Sequence, residues 1–416
     1  MTFIPIKEQE VNASRGPNRI AARILRVKPS PSSAAADRAA ALRRAGKKIV
    51  NLVVGEPDFD TPAHIRQAAC DAIARGETRY TQNAGTPALR AAIAEKLKRE
   101  NDLDVDPKNV LVTCGAKHAI FNALSVTIEP GDEVLIPAPY WVSYPDMALA
   151  CEGVPVVLPC AESNDFKLDA ATLRAALTPR SRWLLLNSPT NPTGATYSAD
   201  DLRRLADVLL DHPDVLILTD DIYEHVSFTD APLVHLGRIA PALLSRIVIV
   251  NGVSKTYAMT GWRIGYAAGP ADIIAAMETL QSQSTSNACS ISQAAALAAL
   301  QGDQSFVKES VAVYRQRRDR AAALINATPG LSCRSPGGAF YLYVNCQQLI
   351  GKTTSNGRVL HDDNDVVMHL LETQGVAVIA GTAYGTPGYF RMSIATSLDV
   401  IEEGIALMGK AFDNVR

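Results

Sequence analysis

Lys255 stands between a turn of small residues and an arginine at a fixed distance. The run is Asn251-Gly252-Val253-Ser254-Lys255-Thr256-Tyr257-Ala258-Met259-Thr260-Gly261-Trp262-Arg263. A lysine so placed can hold an aldehyde cofactor as a Schiff base, and Arg263, eight positions on, can bind that cofactor's phosphate. A lone lysine is by default a solvated surface charge. Here the apolar run Ile247-Val248-Ile249-Val250 ends at Asn251-Gly252. Lys255 therefore lies just past the end of a buried strand, where open α/β sheets bind ligands.

Five further motifs sit at strand ends or in strands. Gly115-Ala116-Lys117-His118 is a small-residue turn opening a helix, which offers backbone N–H groups to a phosphate. The plain alternative is a tight helix start with no ligand. Pro139-Tyr140-Trp141 puts a tryptophan past a strand end, either as core or as a surface on which a flat ring stacks. Asn187-Ser188-Pro189-Thr190-Asn191-Pro192-Thr193-Gly194 is a rigid turn with two X-Pro bonds, the kind of bond that adopts cis. Within it Asn191 can hydrogen-bond a ring oxygen and a carboxylate. Asp220-Asp221-Ile222-Tyr223 closes a very apolar strand with a carboxylate that needs a partner. A helix N-cap would satisfy it, and so would a pyridinium N–H; Tyr223 can then bond a phenolic oxygen on the same ring. Arg391, in Phe390-Arg391-Met392-Ser393, is an arginine inside a strand-like segment. Its planar guanidinium suits a carboxylate.

The elements that position these groups alternate. Strands are expected near 49–54, 110–114, 133–137, 154–158, 182–187, 215–220, 246–250 and 264–268, with helices at about 34–45, 62–75, 86–100, 116–127 and 198–211. The strands are continuous apolar runs, the pattern of strands buried on both faces of a mostly parallel sheet. A long helical region spans about 271–326. The last ninety or so residues look like three strands (337–344, 376–380, 389–394) with helices between them. We expect an N-terminal arm over 1–30, a large domain over 51–310, and a smaller α+β domain made of 31–50 and 311–416. Residues 350–365 read as a polar surface insertion.

The chain has 416 residues, too many for one ordinary core. Its formal net charge is −2, so no global basic field draws nucleic acid or an anionic membrane. Arg315, Arg317, Arg318 and Arg320 form a local basic cluster, expected on a solvated helix face. The cysteine count is odd, seven, and none forms C-x-x-C, which argues against a disulfide framework or a structural zinc site. No apolar signal-like segment or run of membrane-spanning length is visible, so a cytoplasmic enzyme is the expectation.

Taken together, the lysine, the arginine, Asp-x-x-Tyr, Asn-Pro-Thr-Gly and the late Arg391 form a specific set. So do Val54-Gly55-Glu56-Pro57-Asp58-Phe59-Asp60-Thr61-Pro62 and Tyr140-Trp141-Val142-Ser143-Tyr144-Pro145. On these motifs the chain resembles the fold-type I, class I/II pyridoxal-phosphate aminotransferases. Within them it is similar to the bacterial Iβ aspartate aminotransferases, some of which also accept prephenate. The resemblance runs from about Lys28 to the C-terminus. It implies a seven-stranded, mostly parallel sheet in the large domain and pyridoxal 5'-phosphate as cofactor. It also implies a role for each residue. Lys255 is the Schiff-base lysine and proton carrier, Asp220 pairs with the ring nitrogen, Tyr223 and Asn191 hold the ring's phenolic oxygen, and Trp141 stacks on the ring. Arg263, Ser254 and the N–H groups of Ala116 and Lys117 hold the phosphate. Tyr80 reaches the phosphate of a neighbouring subunit, which implies a homodimer. Arg391 binds the substrate's α-carboxylate with help from Asn191, Trp141 and the backbone of Gly55.

For substrates, the resemblance implies transamination of aspartate or glutamate with 2-oxoglutarate or oxaloacetate. Lys117 stands where the subgroup contacts the distal carboxylate, and Ser32 falls near another side-chain-recognition position. His118, Gln82-Asn83-Ala84 and Ala294 depart from the usual residues and leave aromatic or prephenate substrates open. A C–S lyase would use the same lysine, but Lys117 speaks against it. A regulator built on such a domain would need an appended DNA-binding domain, and only about thirty residues precede the fold.

Overall fold

The computed structural model describes residues 19–416 apart from 30, 356, 414 and 416. Most of the arm expected over 1–30, and the side chain of Ser32, lie outside the described residues. Among the described residues there are thirteen strands, in chain order β1 Val50–Asn51, β2 Val110–Thr113, β3 Glu133–Ala138, β4 Val154–Pro159, β5 Ser181–Asn187, β6 Leu216–Asp220, β7 Ile247–Gly252, β8 Gly265–Ala268, β9 Ser332–Cys333, β10 Tyr341–Asn345, β11 Val376–Ala377, β12 Ile379–Ala380 and β13 Tyr389–Ser393. The large sheet has seven strands in the order β2-β8-β7-β6-β5-β3-β4. Only β8 runs antiparallel to its neighbours. The expected seven-stranded, mostly parallel sheet is thus present.

Its apolar runs are buried for the reason the pattern gave. Leu184, Leu186, Ile217, Ile247 and Ile249 join one core, while Trp183, Leu185, Leu218, Val248 and Val250 join another. Successive side chains of a strand point to opposite faces, so both faces are dry and covered by helices. The edge strand β4 is the exception. Val154 and Val157 are 46% and 45% exposed, although their run reads like the others. Its sequence does carry one mark of an edge, Pro155 within the run, since a proline cannot donate to a ladder on both sides.

A second sheet, β12-β13-β10-β9, is antiparallel throughout, and β1 pairs with β11 in a short parallel ladder. The run 376–380, expected as one strand, therefore splits: β11 serves β1 and β12 serves β13. The strand expected at 49–54 shrinks to two residues and joins β11 rather than the large sheet. The second sheet has its own core around Tyr314, Phe340, Leu342, Phe390, Met392 and Ile405.

The helix Pro87–Asn101 starts as expected, with Thr86 capping the N–H of Leu89 and Pro87 in the first turn. The long helical stretch breaks into Ala271–Ser282, Ser290–Gln301 and Ser305–Asn326. The helices Tyr144–Ala150 and Ala170–Ala176 were not expected. They are two turns long, too short for a periodic signal. Among the described residues no helix is long and apolar enough to cross a membrane.

The basic cluster on Ser305–Asn326 departs from expectation. Arg315 and Arg320 are solvated, but Arg317 is buried against Asp58, and Arg318 lies over the Phe228 ring at 4.8 Å. The aromatic residues around them, distant in sequence, draw the long side chains inward.

Leu218 is fully buried in the central strand, two residues before Asp220. Leu218→Ala should cost about 2–5 kcal/mol by equilibrium denaturation. A change below about 1 kcal/mol would mean that this layer is not close-packed.

Candidate active site

The parallel strands end together, and their register brings distant residues side by side. Asn187 on β5 is the Cα partner of Asp220 on β6, and Asp220 is the partner of Val250 on β7. Lys255 follows β7 by one turn of chain. A cavity of about 520 Å³ opens at this edge. Eleven of the twelve residues singled out from sequence line it: Gly55, Ala116, Lys117, Trp141, Asn191, Asp220, Tyr223, Ser254, Lys255, Arg263 and Arg391. The twelfth, Tyr80, does not, and is 91% exposed.

Asp220 is buried, with the Tyr144 hydroxyl donating to Oδ2 at 2.6 Å and the Ile222 N–H to Oδ1 at 3.4 Å. Desolvation dominates, and its carboxyl is pushed up to about 6. A cationic partner would favour the charged form and bring it down again. Lys255 donates from Nζ to the Gly55 carbonyl at 2.6 Å. Burial lowers its ammonium to about 8; Glu56 and Asp220 oppose that shift, and Arg263 and Arg391 add to it. The Tyr223 and Tyr341 hydroxyls lie 2.9 Å apart. A hydroxyl has both a donor and acceptor sites, so this contact leaves Tyr223 capacity for a ligand oxygen.

Arg391 is 2% exposed. Nη1 donates to Asn191 Oδ1 at 2.9 Å and Nη2 to the Val53 carbonyl at 2.8 Å, while Nε has no partner. The guanidinium lies 4.2 Å from the centroid of the Tyr341 ring. Among the described residues no carboxylate pairs with it. A buried arginine with spare donors and no counter-ion is built for an anion that arrives from outside.

At the other end of the cavity, Gly115 (φ +87°) opens the helix Ala116–Ser125. The N–H groups of Ala116 and Lys117 have no acceptor within the helix, as at any helix start. A Cβ at Gly115 would come within 2.5 Å of Arg263 Nη2, and one at Gly265 within 2.2 Å of the Ala116 nitrogen. Those two glycines let β8, the helix start and Arg263 close into a cup. Arg263 itself has φ +55° and Ala258 φ +52°, an uncommon conformation that turns the arginine back toward the lysine. Lys117 reaches over Trp141 at 4.8 Å and donates to Ser143 Oγ at 3.2 Å. Desolvation first, then the Arg263 charge, holds its ammonium below the usual range. The expected cis turn is present: Ser188-Pro189 and Asn191-Pro192 are both cis, as is Ala138-Pro139.

The sequence alone gives no role to Tyr144, Tyr341, Glu56 or Asn187, although all four lie within quoted or strand-like runs. Their contacts are tertiary, and local spacing carries no signal of them. Below the lysine loop, Glu100, Glu224 and His225 form an acidic group already paired with Lys96, and His225 reaches Thr256 Oγ1 at 3.2 Å.

The sheet order, the second sheet and this cavity define fold type I of the pyridoxal-phosphate-dependent enzymes. The chain belongs to the class I and II aminotransferases, whose family model matches residues 47–406. It is 50% identical over 378 residues to a probable aspartate/prephenate aminotransferase of Rhizobium leguminosarum bv. phaseoli, covering 91% of this chain and 94% of that one. The crystal structure of the aspartate aminotransferase from Rhizobium meliloti superposes with a TM-score of 0.94 at 48% identity, over 96% of this chain and all of that one. The aspartate aminotransferase from Thermus thermophilus with maleate gives 0.89 at 39% identity, over 95% of this chain and 100% of that one.

The buried carboxylate has a consequence for stability. Asp220's pKa is higher in the folded protein than its ordinary 3.8, so between about 4 and about 6 the folded state holds more protons than the unfolded one. Its contribution to stability therefore falls as pH rises through that window, by on the order of 3 kcal/mol. Asp220→Asn should flatten that part of the stability–pH curve in protein free of cofactor. An identical slope in both proteins would show that Asp220 is not desolvated.

Proposed function

We propose that this enzyme transaminates L-aspartate and L-glutamate with 2-oxoglutarate or oxaloacetate, using pyridoxal 5'-phosphate. The observation that carries the reading is Arg391, buried without a carboxylate partner in the same cavity as Lys255. The residues present fit the cofactor. The cup of Ala116, Lys117, Ser254 and Arg263 suits a phosphate, and Trp141 offers a face for the ring. Asp220 supplies the charge a ring nitrogen needs, and Tyr223 and Asn191 supply polar groups for its phenolic oxygen. When bound, pyridoxal phosphate supplies an aldehyde that takes the amino group and a ring that accepts the electrons left behind by the α-proton.

The chain's own groups do the rest. Arg391, with Asn191 beside it and Gly55 nearby, fixes the α-carboxylate and so aims the Cα–H bond. Lys255 Nζ, with its pKa brought down to about 8, is partly neutral near neutral pH and can take and return that proton. Asp220 keeps a proton on the ring nitrogen, which matters for rate more than for binding. Lys117, at the mouth of the cavity, faces the distal end of the substrate.

A second substrate reading has its own support. Relatives about half identical to this chain are named for aspartate and prephenate together. Prephenate carries a further carboxylate that Lys117 could meet equally well. Tyr80, exposed and outside its own chain's cavity, supports a homodimer in which it serves the neighbouring subunit. The two sheets with separate cores support a large domain over 51–310 and a small one from 31–50 and 311–416. Seven free cysteines support a reducing, cytoplasmic setting.

Aspartate, glutamate, phenylalanine and prephenate's amino product should be tested one by one as amino donors. Conversion of the pyridoxal form to the pyridoxamine form is followed by absorbance. We expect aspartate and glutamate to react; a lack of conversion with every donor ends the aminotransferase reading. Lys255→Ala should stop turnover with the fold intact. Lys117→Ala should weaken aspartate against phenylalanine by roughly 10-fold or more, the cost of a charge-assisted bond. Equal losses would remove the role given to Lys117.

A further inference from the structure

Residues 52–62 have no regular secondary structure, yet they run directly past the reacting groups. Their order comes from contacts with distant parts of the chain. The Val53 carbonyl accepts from Arg391, and the Gly55 carbonyl from Lys255. Glu56 accepts from Thr260 at 2.8 Å. Thr61 donates to the Ala258 carbonyl at 2.6 Å and accepts from Trp262 Nε1 at 3.0 Å. This strap thus holds both the lysine and the carboxylate-binding arginine through backbone carbonyls, which no side-chain change in the strap removes directly.

The tie that places it is Asp58. Arg317, from the helix Ser305–Asn326, grips both Asp58 oxygens, at 2.7 Å and 2.8 Å. Its guanidinium also lies over the rings of Phe59, at 5.5 Å, and Tyr314, at 5.6 Å. Nη1 reaches the Ile394 carbonyl at 3.5 Å, three residues beyond Arg391 on the same stretch of chain. One buried fork therefore joins the strap to the strand that carries Arg391. A lysine could replace the charge but not the planar two-point grip or the stacking.

We infer that Arg317 is a positioning residue for the reaction: through Asp58 it sets the strap so that the Gly55 carbonyl meets Lys255 Nζ and the Val53 carbonyl meets Arg391. The inference rests on the reading of Lys255 as the reacting amine. It has a signature that a purely structural role lacks. The charged groups facing Lys255 are Glu56 and Asp220, which favour its ammonium, and Arg263 and Arg391, which oppose it. The Gly55 carbonyl also favours the ammonium, because it accepts a hydrogen bond from it. Burial is the largest influence on that ammonium and holds it down. A loosened strap withdraws Gly55 and Glu56 and also admits water to the buried amine, so the protonation of Lys255 must depart from its wild-type state.

The test compares wild type, Arg317→Lys and Asp58→Asn as folded proteins free of cofactor, with circular dichroism as the check on folding. Each is treated with trinitrobenzenesulfonate across a pH series, and labelling of the peptide containing Lys255 is read by mass spectrometry. The labelling midpoint should move away from the wild-type value in both variants. With pyridoxal phosphate restored, kcat for aspartate should fall about 10- to 100-fold, the cost of sub-ångström to ångström misplacement of reacting groups. A midpoint equal to wild type in either folded variant overturns the inference, whatever the turnover. If wild type itself converts no amino donor, the aminotransferase reading falls, while the midpoint comparison still decides whether Arg317 sets the state of Lys255.

Discussion

A charged carboxylate at the inner end of a buried strand is expensive, and Asp220 is such a group. Its burial has to be offset, and the surroundings show how. A tyrosine from one helix donates to it, a backbone N–H from the following turn approaches it, and the cavity beside it collects cations. Four basic side chains, Lys117, Lys255, Arg263 and Arg391, line that cavity against two acidic ones, Glu56 and Asp220. The excess of positive charge suits ligands carrying phosphate and carboxylates, while burial, aided by Arg263 and Arg391, brings the reacting lysine down to about 8.

The sheet makes this concentration of charge possible. Parallel strands end at one edge, so the polar residues that terminate Leu-Leu-Leu-Asn and Ile-Leu-Thr-Asp arrive side by side above a dry interior. The strand bodies carry the stability and the strand ends carry the chemistry. The second sheet contributes one decisive group, Arg391. It reaches the cavity because β13 lies centrally in that sheet and the strap at 52–62 bridges it to the lysine loop.

The large sheet was legible in the sequence because its strands are apolar runs, four of which, β2, β5, β6 and β7, end in Thr, Asn, Asp and Gly. The cavity was legible because its residues sit immediately after those ends. What escaped has a common cause. Tyr144 and Tyr341 gain their importance from partners far away in sequence, Asp220 and Tyr223. Arg317 looked like one more solvated charge among four, because nothing local announces Asp58 and Phe59 beside it. The exposure of β4 escaped because its apolar run outweighed Pro155, the one residue in it that marks an edge. The two-residue β1 escaped because ladder length depends on its partner β11.

The outer strand β4 also governs what the sheet can join. An open sheet ends in a row of unpaired backbone groups, and two exposed valines on such a row invite another chain to add itself. In β4, Pro155 and Pro159 interrupt the row, each lacking the N–H that an incoming strand would need. A sheet that must stay open at one edge to gather its charges at another is thereby kept from growing. At high concentration inside a cell, that makes β4 a terminus for the sheet and not a template.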